Sequence, residues 1–250
     1  MEEKKEMNVY LYVFILTSLT ALILSLLYTS LNPIFEANKK EAKKKAILSC
    51  VPDTTIDLAT QESVTKAYEK VTMLAVTEKG EIYTNENLDA INTMATGGVK
   101  KYKELAELDL ANEEKKDASN RLYPVYKYEN SDVNYYIVAI RGNGLWDKIW
   151  GYIALEDDLN TIAGVYFDHK AETPGLGAEI KDSDKFKAQF INKKVFDGSK
   201  VAFTVLKRAK KGEHYVTGIS GATITSDGVT DMFASGMNYY KTYFDAVKNQ

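Results

Sequence analysis

Cysteine and histidine are scarce in this chain of 250 residues, which has one cysteine and two histidines. The single Cys50 cannot form a disulfide within the chain, so the redox compartment stays undetermined. Cys50, His169 and His214 are too few ligands for an iron–sulfur cluster or a typical structural zinc site. We therefore predict no metal site and expect both histidines to be solvated or hydrogen-bonded structural residues. Any electron chemistry must then use an organic cofactor or a partner protein.

An excess of positive charge is also lacking. The formal net charge is −3, and the first 45 residues carry seven lysines and five glutamates, which leaves a net charge of −5 on residues 46–250. Nucleic-acid-binding domains normally present a basic patch or stripe to the phosphate backbone. We predict no nucleic-acid partner.

Charged residues are absent from positions 10–31, which read YLYVFILTSLTALILSLLYTSL. As a helix this run extends roughly 33 Å, enough to cross the hydrocarbon core of a bilayer. A signal peptide and a buried soluble helix are the alternatives, but the run is long for a signal-peptide core and no small-x-small cleavage site follows it. We predict a transmembrane helix over 10–31 in contact with membrane lipid, preceded by an N-terminal tail over 1–9 and followed by a helical stem over 32–50.

Lysines flank this run on both sides. Two precede it (Lys4 and Lys5), and five follow it closely: Lys39, Lys40, Lys43, Lys44 and Lys45. Taken alone, the positive-inside rule would place the large C-terminal part in the cytoplasm. Because long domains cross membranes largely regardless of nearby charge, the lysine count leaves the orientation open.

The rest of the chain alternates between strand-like and helix-like segments. Segments rich in β-branched and aromatic residues predict strands at Val71–Thr77, Val133–Arg141, Trp150–Leu155, Thr161–Asp168 and Lys200–Leu206. The polar segment Val99–Ala118 is typical of a surface helix or linker, and Asp184–Asn192 of a short helix. We predict an α+β domain with a mainly antiparallel sheet and packed helices, its N-terminal part over 51–120 and its core over 121–250.

The clearest periodicity lies at the C-terminus, where one apolar stripe predicts a long amphipathic helix: Val229, Met232, Phe233, Gly236, Met237, Tyr240, Phe244 and Val247. The hydroxyl-rich stretch ISGATITSDG (219–228) precedes it, and Thr225, Ser226 and Asp227 are all good residues for a helix start. On spacing alone this stretch is a turn with a helix cap. A P-loop is not indicated, because no GxxxxGK[ST] motif is present.

Two further motifs stand out. ETPGLG (172–177) suits a turn, and its Leu176 indicates an apolar partner. RGNGLW (141–146) suits a bend after a strand, and residue-level reasoning alone favours core packing for Trp146. Each of these two signals is weak when it is taken by itself.

Together the motifs resemble one family. SGATIT (220–225) is similar to the flavinylation signature of FMN-binding domains, and ETPGLG is similar to their companion motif. The block GLW (144–146), followed by GYIALEDDLNT (151–161), resembles the C subunits of the sodium-translocating NADH:quinone reductases. The related G subunits of Rnf complexes share the first two motifs, usually without the GLW block. One position departs from the family, because Thr217 stands where an Asp is common.

The resemblance implies an electron-carrier subunit with a covalent FMN, whose phosphate is esterified to Thr225. It implies that Leu145, Trp146 and Leu176 contact the isoalloxazine ring, and that Glu172 and Thr173 position the ring by hydrogen bonds. The remaining cofactor-binding residues are Ser220, Gly221, Ala222, Thr223, Gly175, Gly177 and Gly144. No catalytic acid or base is implied, since the cofactor carries the electron chemistry.

The family also implies partners and a location. A separate Mg-dependent flavin transferase attaches the flavin from FAD, other subunits of a membrane reductase supply the NADH site, and the flavin domain is periplasmic. The alternatives are the equivalent Rnf subunit and a non-redox, membrane-tethered binding or assembly module, in which SGATIT is only a helix cap. The two companion motifs argue against the second alternative, because a helix cap does not require them.

Overall fold

The computed structural model describes residues 9–89, 102–130, 133–208 and 211–249. The chain divides into two compact units, Met1–Lys43 and Lys44–Gln250. The first unit contains most of helix α1 (Val9–Ser49), and the second unit contains the last turn of α1 and all other elements.

Helix α1 is the one helix in the described ranges that is long and apolar enough to cross a membrane. Hydroxyl groups within its apolar run bond to carbonyl oxygens one turn earlier. Thr17 Oγ1 donates to Val13 O at 2.9 Å, and Thr29 Oγ1 donates to Ser25 O at 2.8 Å. Such bonds satisfy polar side chains where no water is available. The helix fits a single-pass membrane anchor.

The second unit is built on one six-stranded sheet. Its strands are β1 (Val71–Val76), β2 (Ile82–Tyr83), β3 (Tyr123–Glu129), β4 (Asn134–Asn143), β5 (Lys148–Leu155) and β6 (Ile162–His169). Their order is β2–β1–β3–β4–β5–β6, and every neighbouring pair is antiparallel. The predicted α+β fold with a mainly antiparallel sheet is confirmed, and four predicted strands lie within two residues of their observed bounds.

Shorter elements surround the sheet. The helices are α2 (Gln61–Tyr68), α3 (Leu110–Glu113), α4 (Glu179–Asp182), α5 (Asp184–Ala188) and α6 (Thr223–Lys248), with 3-10 turns at Asn85–Asn87, Leu105–Glu107 and Ala118–Asn120. Two small strand pairs complete the domain: β7 (Phe196–Asp197) with β8 (Lys200–Val201), which is antiparallel, and β9 (Thr204–Leu206) with β10 (Tyr215–Thr217), which is parallel.

Both faces of the sheet are covered. Side chains alternate between the faces of a strand, so Val125 of β3 points to one hydrophobic cluster and Tyr126 to the other. The first cluster contains the apolar stripe of α6, including Phe233 and Met237, as the periodicity predicted. The second contains residues from the end of α1, such as Leu48, and Val64 of α2. Helix α6 is thereby fixed against the sheet along most of its length.

Three predictions about secondary structure were wrong. Strand β3 was missed, because YPVYKYE (123–129) contains a proline and two charged residues that weaken the strand pattern. The predicted strand Lys200–Leu206 is broken, because the N–H groups of Ala202 and Phe203 both bond to Val195 O. Residues 99–101 lie outside the described residues. The rest of the segment predicted as a surface helix or linker forms the turn Leu105–Glu107 and the short helix α3, and it is not at the surface throughout, because Leu105, Leu108 and Glu113 are buried.

Candidate functional site

Three segments that are distant in sequence meet at the N-terminus of α6. Glu172, which follows β6, joins them through its two carboxylate oxygens. Its Oε1 accepts the backbone N–H of Trp146 at 3.0 Å, and its Oε2 accepts the hydroxyl of Thr225 at 2.6 Å. Glu172 is 5 % exposed and Thr225 is 1 % exposed. The structure therefore brings the three sequence motifs into one site, with Glu172 at its centre.

Glycines make this close approach possible. A Cβ at Gly144 would lie 2.4 Å from Glu172 Oε1, and a Cβ at Gly177 would lie 2.1 Å from Glu172 Oε2 and 2.6 Å from Thr225 Oγ1. Real Cβ atoms do not approach other atoms this closely, so any larger residue would displace the carboxylate. Two of the glycines in the motifs are thus explained by the space that the Glu172 side chain occupies.

The ETPGLG motif forms a turn, which we call the 172–177 turn. Gly175 has φ of 74°, a conformation that favours glycine, and the carbonyl oxygen of Thr173 accepts the N–H groups of Leu176 and Ala178, each at 3.1 Å. At the start of the turn, the N–H of Glu172 donates to His169 Nδ1 at 3.1 Å. His169 is therefore the hydrogen-bonded structural residue that the sequence predicted, and it supports the site itself.

The stretch before α6 differs from its prediction in one respect. Ala222 occupies the N-cap position, and no side chain caps the helix. Thr225 and Ser226 lie inside the first turns: the Thr225 hydroxyl donates to Glu172, and Ser226 Oγ accepts the N–H of Ile219 at 3.0 Å. The predicted capping role of Ser226 or Asp227 was wrong, because the helix begins earlier, at Thr223.

The backbone around SGAT is held in place by contacts with the side chains of neighbouring segments. Gly221 has φ of 80°, and a Cβ there would lie 2.9 Å from Leu176 Cδ2, so this glycine contacts the 172–177 turn. Thr217 stands where the family commonly has an Asp. Its backbone N–H and carbonyl oxygen bond to the side-chain amide of Gln189 at 2.9 and 3.2 Å. The turn geometry here therefore does not depend on an Asp side chain at position 217. Ser220 and Thr223 are exposed beside this stretch.

Large, partly exposed apolar side chains lie near the buried residues Glu172 and Thr225. Leu145 is 47 %, Trp146 67 % and Leu176 42 % exposed, and Trp146 Nε1 donates to Thr173 Oγ1 at 3.1 Å. The core position that residue-level reasoning favoured for Trp146 was therefore wrong. Ile224, which precedes Thr225 in sequence, is 58 % exposed and adds apolar surface at the start of α6, and sequence reasoning missed it. Its signal was the one large apolar side chain among the hydroxyls of SGATIT.

The described residues contain no candidate metal site. Among residues 9–89, 102–130, 133–208 and 211–249, no three His, Cys, Asp or Glu side chains come together as metal ligands.

Part of the chain matches a known class of domain. Residues 144–238 match the family model of the FMN-binding domain. The matched range begins at the GLW block and contains the 172–177 turn, SGATIT and most of α6. All three motifs therefore lie within the recognised domain.

The similar proteins found by sequence share one name. The C subunit of the Na(+)-translocating NADH-quinone reductase of Vibrio vulnificus is 42% identical over 113 residues, which are 44% of this chain and 44% of that protein. The same subunit of Neisseria meningitidis serogroup B is 39% identical over 147 residues, 57% of this chain and 56% of that protein. The chain thus matches about half the length of these relatives.

Solved structures extend the likeness to most of the chain. The crystal structure of the C subunit of this reductase from Parabacteroides distasonis superposes with a TM-score of 0.68 at 29% identity, covering 86% of this chain and 96% of that one. NqrC from Shewanella oneidensis has the same fold, with a TM-score of 0.68 at 24% identity, covering 86% and 100%. The resemblance predicted from the sequence is confirmed.

Proposed function

We propose that this chain is the flavin-carrying subunit of a membrane-bound, sodium-pumping NADH:quinone oxidoreductase, with FMN attached to Thr225 by a phosphoester bond. One observation carries the proposal: the Thr225 hydroxyl, the Glu172 carboxylate and the exposed apolar rim lie together at the start of α6, inside the matched FMN-binding domain. The names of the relatives support the type of enzyme complex.

The residues present fit an FMN group. Thr225 lies in the first turn of α6, where backbone N–H groups have no intrahelical acceptor and the helix dipole favours a phosphate. Leu145, Trp146, Leu176 and Ile224 offer exposed apolar surface for a flat aromatic ring. Gly221, with φ of 80°, leaves space for close approach to the backbone. An anion site next to an apolar surface matches the two halves of FMN.

In this proposal, the protein residues bind and orient the cofactor. Bound FMN supplies one- and two-electron transfer. The rim formed by Leu145, Trp146 and Leu176 excludes water from one side of the ring, and Thr173, already bonded to Trp146 Nε1, fixes the indole that contacts it. No side chain has to donate or accept a proton at the flavin.

The location and the partners belong to the same proposal. Helix α1 anchors the chain in the cell membrane, the N-terminus lies in the cytoplasm, and the flavin domain lies in the periplasm. The NADH site, the iron–sulfur centres and the sodium path lie on other subunits, and a flavin transferase modifies Thr225. The five lysines from Lys39 to Lys45 oppose this orientation by the positive-inside rule, but a large domain is translocated largely regardless of such charges.

The test is the detection of flavin on the denatured protein. The full chain is produced with and without a flavin transferase, separated on a denaturing gel and examined for flavin fluorescence. We expect fluorescence only with the transferase, its loss in Thr225→Val, and its retention in Thr223→Val. Thr223 is the matched control, because it is an exposed threonine of the same helix turn.

Two results would contradict the proposal. If denatured wild-type chain carries no flavin with the transferase present, the carrier function is wrong and a tethered binding or assembly module remains. If Thr225→Val keeps the fluorescence, the attachment site is wrong. The Rnf alternative is distinguished by the proteins that co-purify with the full chain from membranes.

A further inference from the structure

We propose that Glu172 is a positioning residue that keeps the acceptor Thr225 closed beneath the 172–177 turn, so that flavin attachment requires this turn to lift. The inference rests on the proposed function, because it concerns the modification of Thr225. It adds a step that the fold imposes on the acceptor chain itself.

Burial of the acceptor carries the argument. Thr225 is 1 % exposed, and its hydroxyl proton is directed at Glu172 Oε2, 2.6 Å away. From the same side, the backbone at Gly177 lies so close that a Cβ there would be 2.6 Å from Thr225 Oγ1. Thr223 and Ile224 on the same helix turn are exposed, so Thr225 lies on the side of α6 that faces the 172–177 turn. No phosphorus atom can reach Oγ1 while the turn stays in place.

The chemistry of attachment also conflicts with the closed state. The Oγ1–H bond of Thr225 breaks and an Oγ1–P bond forms at the flavin-side phosphorus of FAD. The P–O bond of the pyrophosphate breaks, AMP leaves with the bonding pair, and the proton passes to solvent. No electrons are transferred. The esterified oxygen has no proton to donate to Glu172, and the phosphate places a negative charge beside the carboxylate. Neither the reaction nor its product is compatible with the bond between Thr225 and Glu172.

The turn is built to open locally. Residues 173–176 are exposed, and few contacts hold the turn in the closed position. Glu172 contacts Thr225 and the N–H of Trp146. Thr173 Oγ1 accepts the indole N–H of Trp146, and Leu176 lies against Gly221. Segments with few buried apolar contacts open at a small fraction of the global free energy of unfolding. The bond from Thr225 to a charged acceptor is the strongest contact between the turn and α6, so weakening it should raise the open population.

The experiment compares rates of attachment at limiting transferase. Flavin-free full chain in detergent is mixed with FAD, Mg²⁺ and a small amount of flavin transferase, and flavin fluorescence is measured on denaturing gels over time. We expect Glu172→Gln to be modified about tenfold faster than wild type, because an amide accepts a weaker hydrogen bond than a carboxylate. Glu179→Gln, an identical change in α4 without a bond to Thr225, should stay within about twofold, since surface changes have small effects.

A second measurement does not depend on the transferase. Hydrogen exchange of the flavin-free chain, followed by mass spectrometry of peptides that contain Trp146, reports lifting of the turn, because the Trp146 N–H donates to Glu172 Oε1 at 3.0 Å from outside the turn. We expect faster exchange there in Glu172→Gln and unchanged exchange in Glu179→Gln. Equal or slower attachment in Glu172→Gln, or unchanged exchange, would overturn the inference.

The two proposals fail in different ways. If wild-type chain acquires flavin at Thr225 during co-production while Glu172→Gln shows no faster attachment, only the positioning role of Glu172 is wrong. If no variant acquires flavin under any condition, the proposed function is wrong and this inference is overturned with it.

Discussion

Replacing Gly228 by alanine tests the contact that brings α6 to the site. Gly228 lies one turn after Thr225, and a Cβ added to it would lie 2.2 Å from the backbone carbonyl oxygen of Asn143. Close C–H···O contacts have carbon–oxygen distances of about 3.3 Å, so the helix and the end of β4 must separate by about 1 Å. A backbone atom cannot rotate away as a side chain does, and the whole helix start has to move.

The expected cost follows from two opposing terms. Inserting a methyl group into a packed contact costs about 1–3 kcal/mol, and a clash with backbone belongs at the upper end. Alanine stabilises a helix interior by about 1 kcal/mol relative to glycine. The free energy of unfolding should therefore fall by about 2 kcal/mol.

Gly236→Ala is the matched control, because Gly236 lies in the same helix and gains the same helix propensity. A Cβ there would lie 2.6 Å from Cγ2 and 2.8 Å from Cβ of Ile140, while the nearest backbone atom lies at 3.5 Å. This clash is milder than one with a carbonyl oxygen but is not removed by a rotation of the side chain, so the free energy of unfolding should fall by about 1 kcal/mol.

Urea unfolding of the full chain in detergent micelles, followed by tryptophan fluorescence, measures both variants, because the apolar part of α1 stays in the micelle. The midpoint of Gly228→Ala should fall by about 0.5 M urea relative to Gly236→Ala. Equal midpoints for the two variants would refute the claim that backbone contact at Asn143 sets the position of α6.

Two further predictions concern charged groups away from the site. Hydrogen bonds from Thr55, and next from Tyr128, lower the pKa of Asp53 from 3.8 to about 2. The ionised Asp53 therefore stabilises the fold above pH 3.8, and this contribution is lost as the pH falls towards 2. Asp53→Asn should make the stability measured by circular dichroism less dependent on pH in this range. Glu113 is fully buried and accepts a hydrogen bond from the Lys116 ammonium at 2.8 Å. Glu113→Gln should therefore lower the free energy of unfolding, measured by urea titration, by about 3 kcal/mol. A loss below about 1 kcal/mol would mean that water reaches the lysine.

The sequence predicted the elements whose pattern is strong and missed those that depend on distant partners. Strand β4 and strand β6 are rich in β-branched and aromatic residues, which fit a pleated, packed surface, and their bounds were nearly correct. Strand β3 contains Pro124 but pairs with β1 and β4 along its length, so tertiary pairing overrides its weak local signal. Charged residues such as Glu113 make 102–118 resemble a surface segment, although Glu113 is buried and accepts hydrogen bonds from Lys116 and the N–H of Leu122.

At the site, the motifs indicated which residues meet but not how they interact. The bond between Glu172 and Thr225 joins positions 53 residues apart, and no local pattern predicts which side chain the threonine contacts. The same holds for His169, whose ring nitrogen accepts the N–H of Glu172. The preference for hydroxyl and Asp residues at helix starts placed the start of α6 too late, because the helix begins at Thr223 with Ala222 at the N-cap and no side-chain cap.

The electrostatics of the site gives one reason why attachment and the closed turn exclude each other. Within the described residues, Glu172 makes no ion pair, so its charge is balanced by the Trp146 N–H, the Thr225 hydroxyl and the positive end of the α6 dipole. In the proposed modification, a phosphate on Thr225 would remove one of these donors and use the same helix N-terminus. A single helix end offers only about half a unit of positive charge, which is less than two adjacent anions require. We therefore expect the carboxylate and the phosphate to compete for one site, as the proposed positioning role of Glu172 requires.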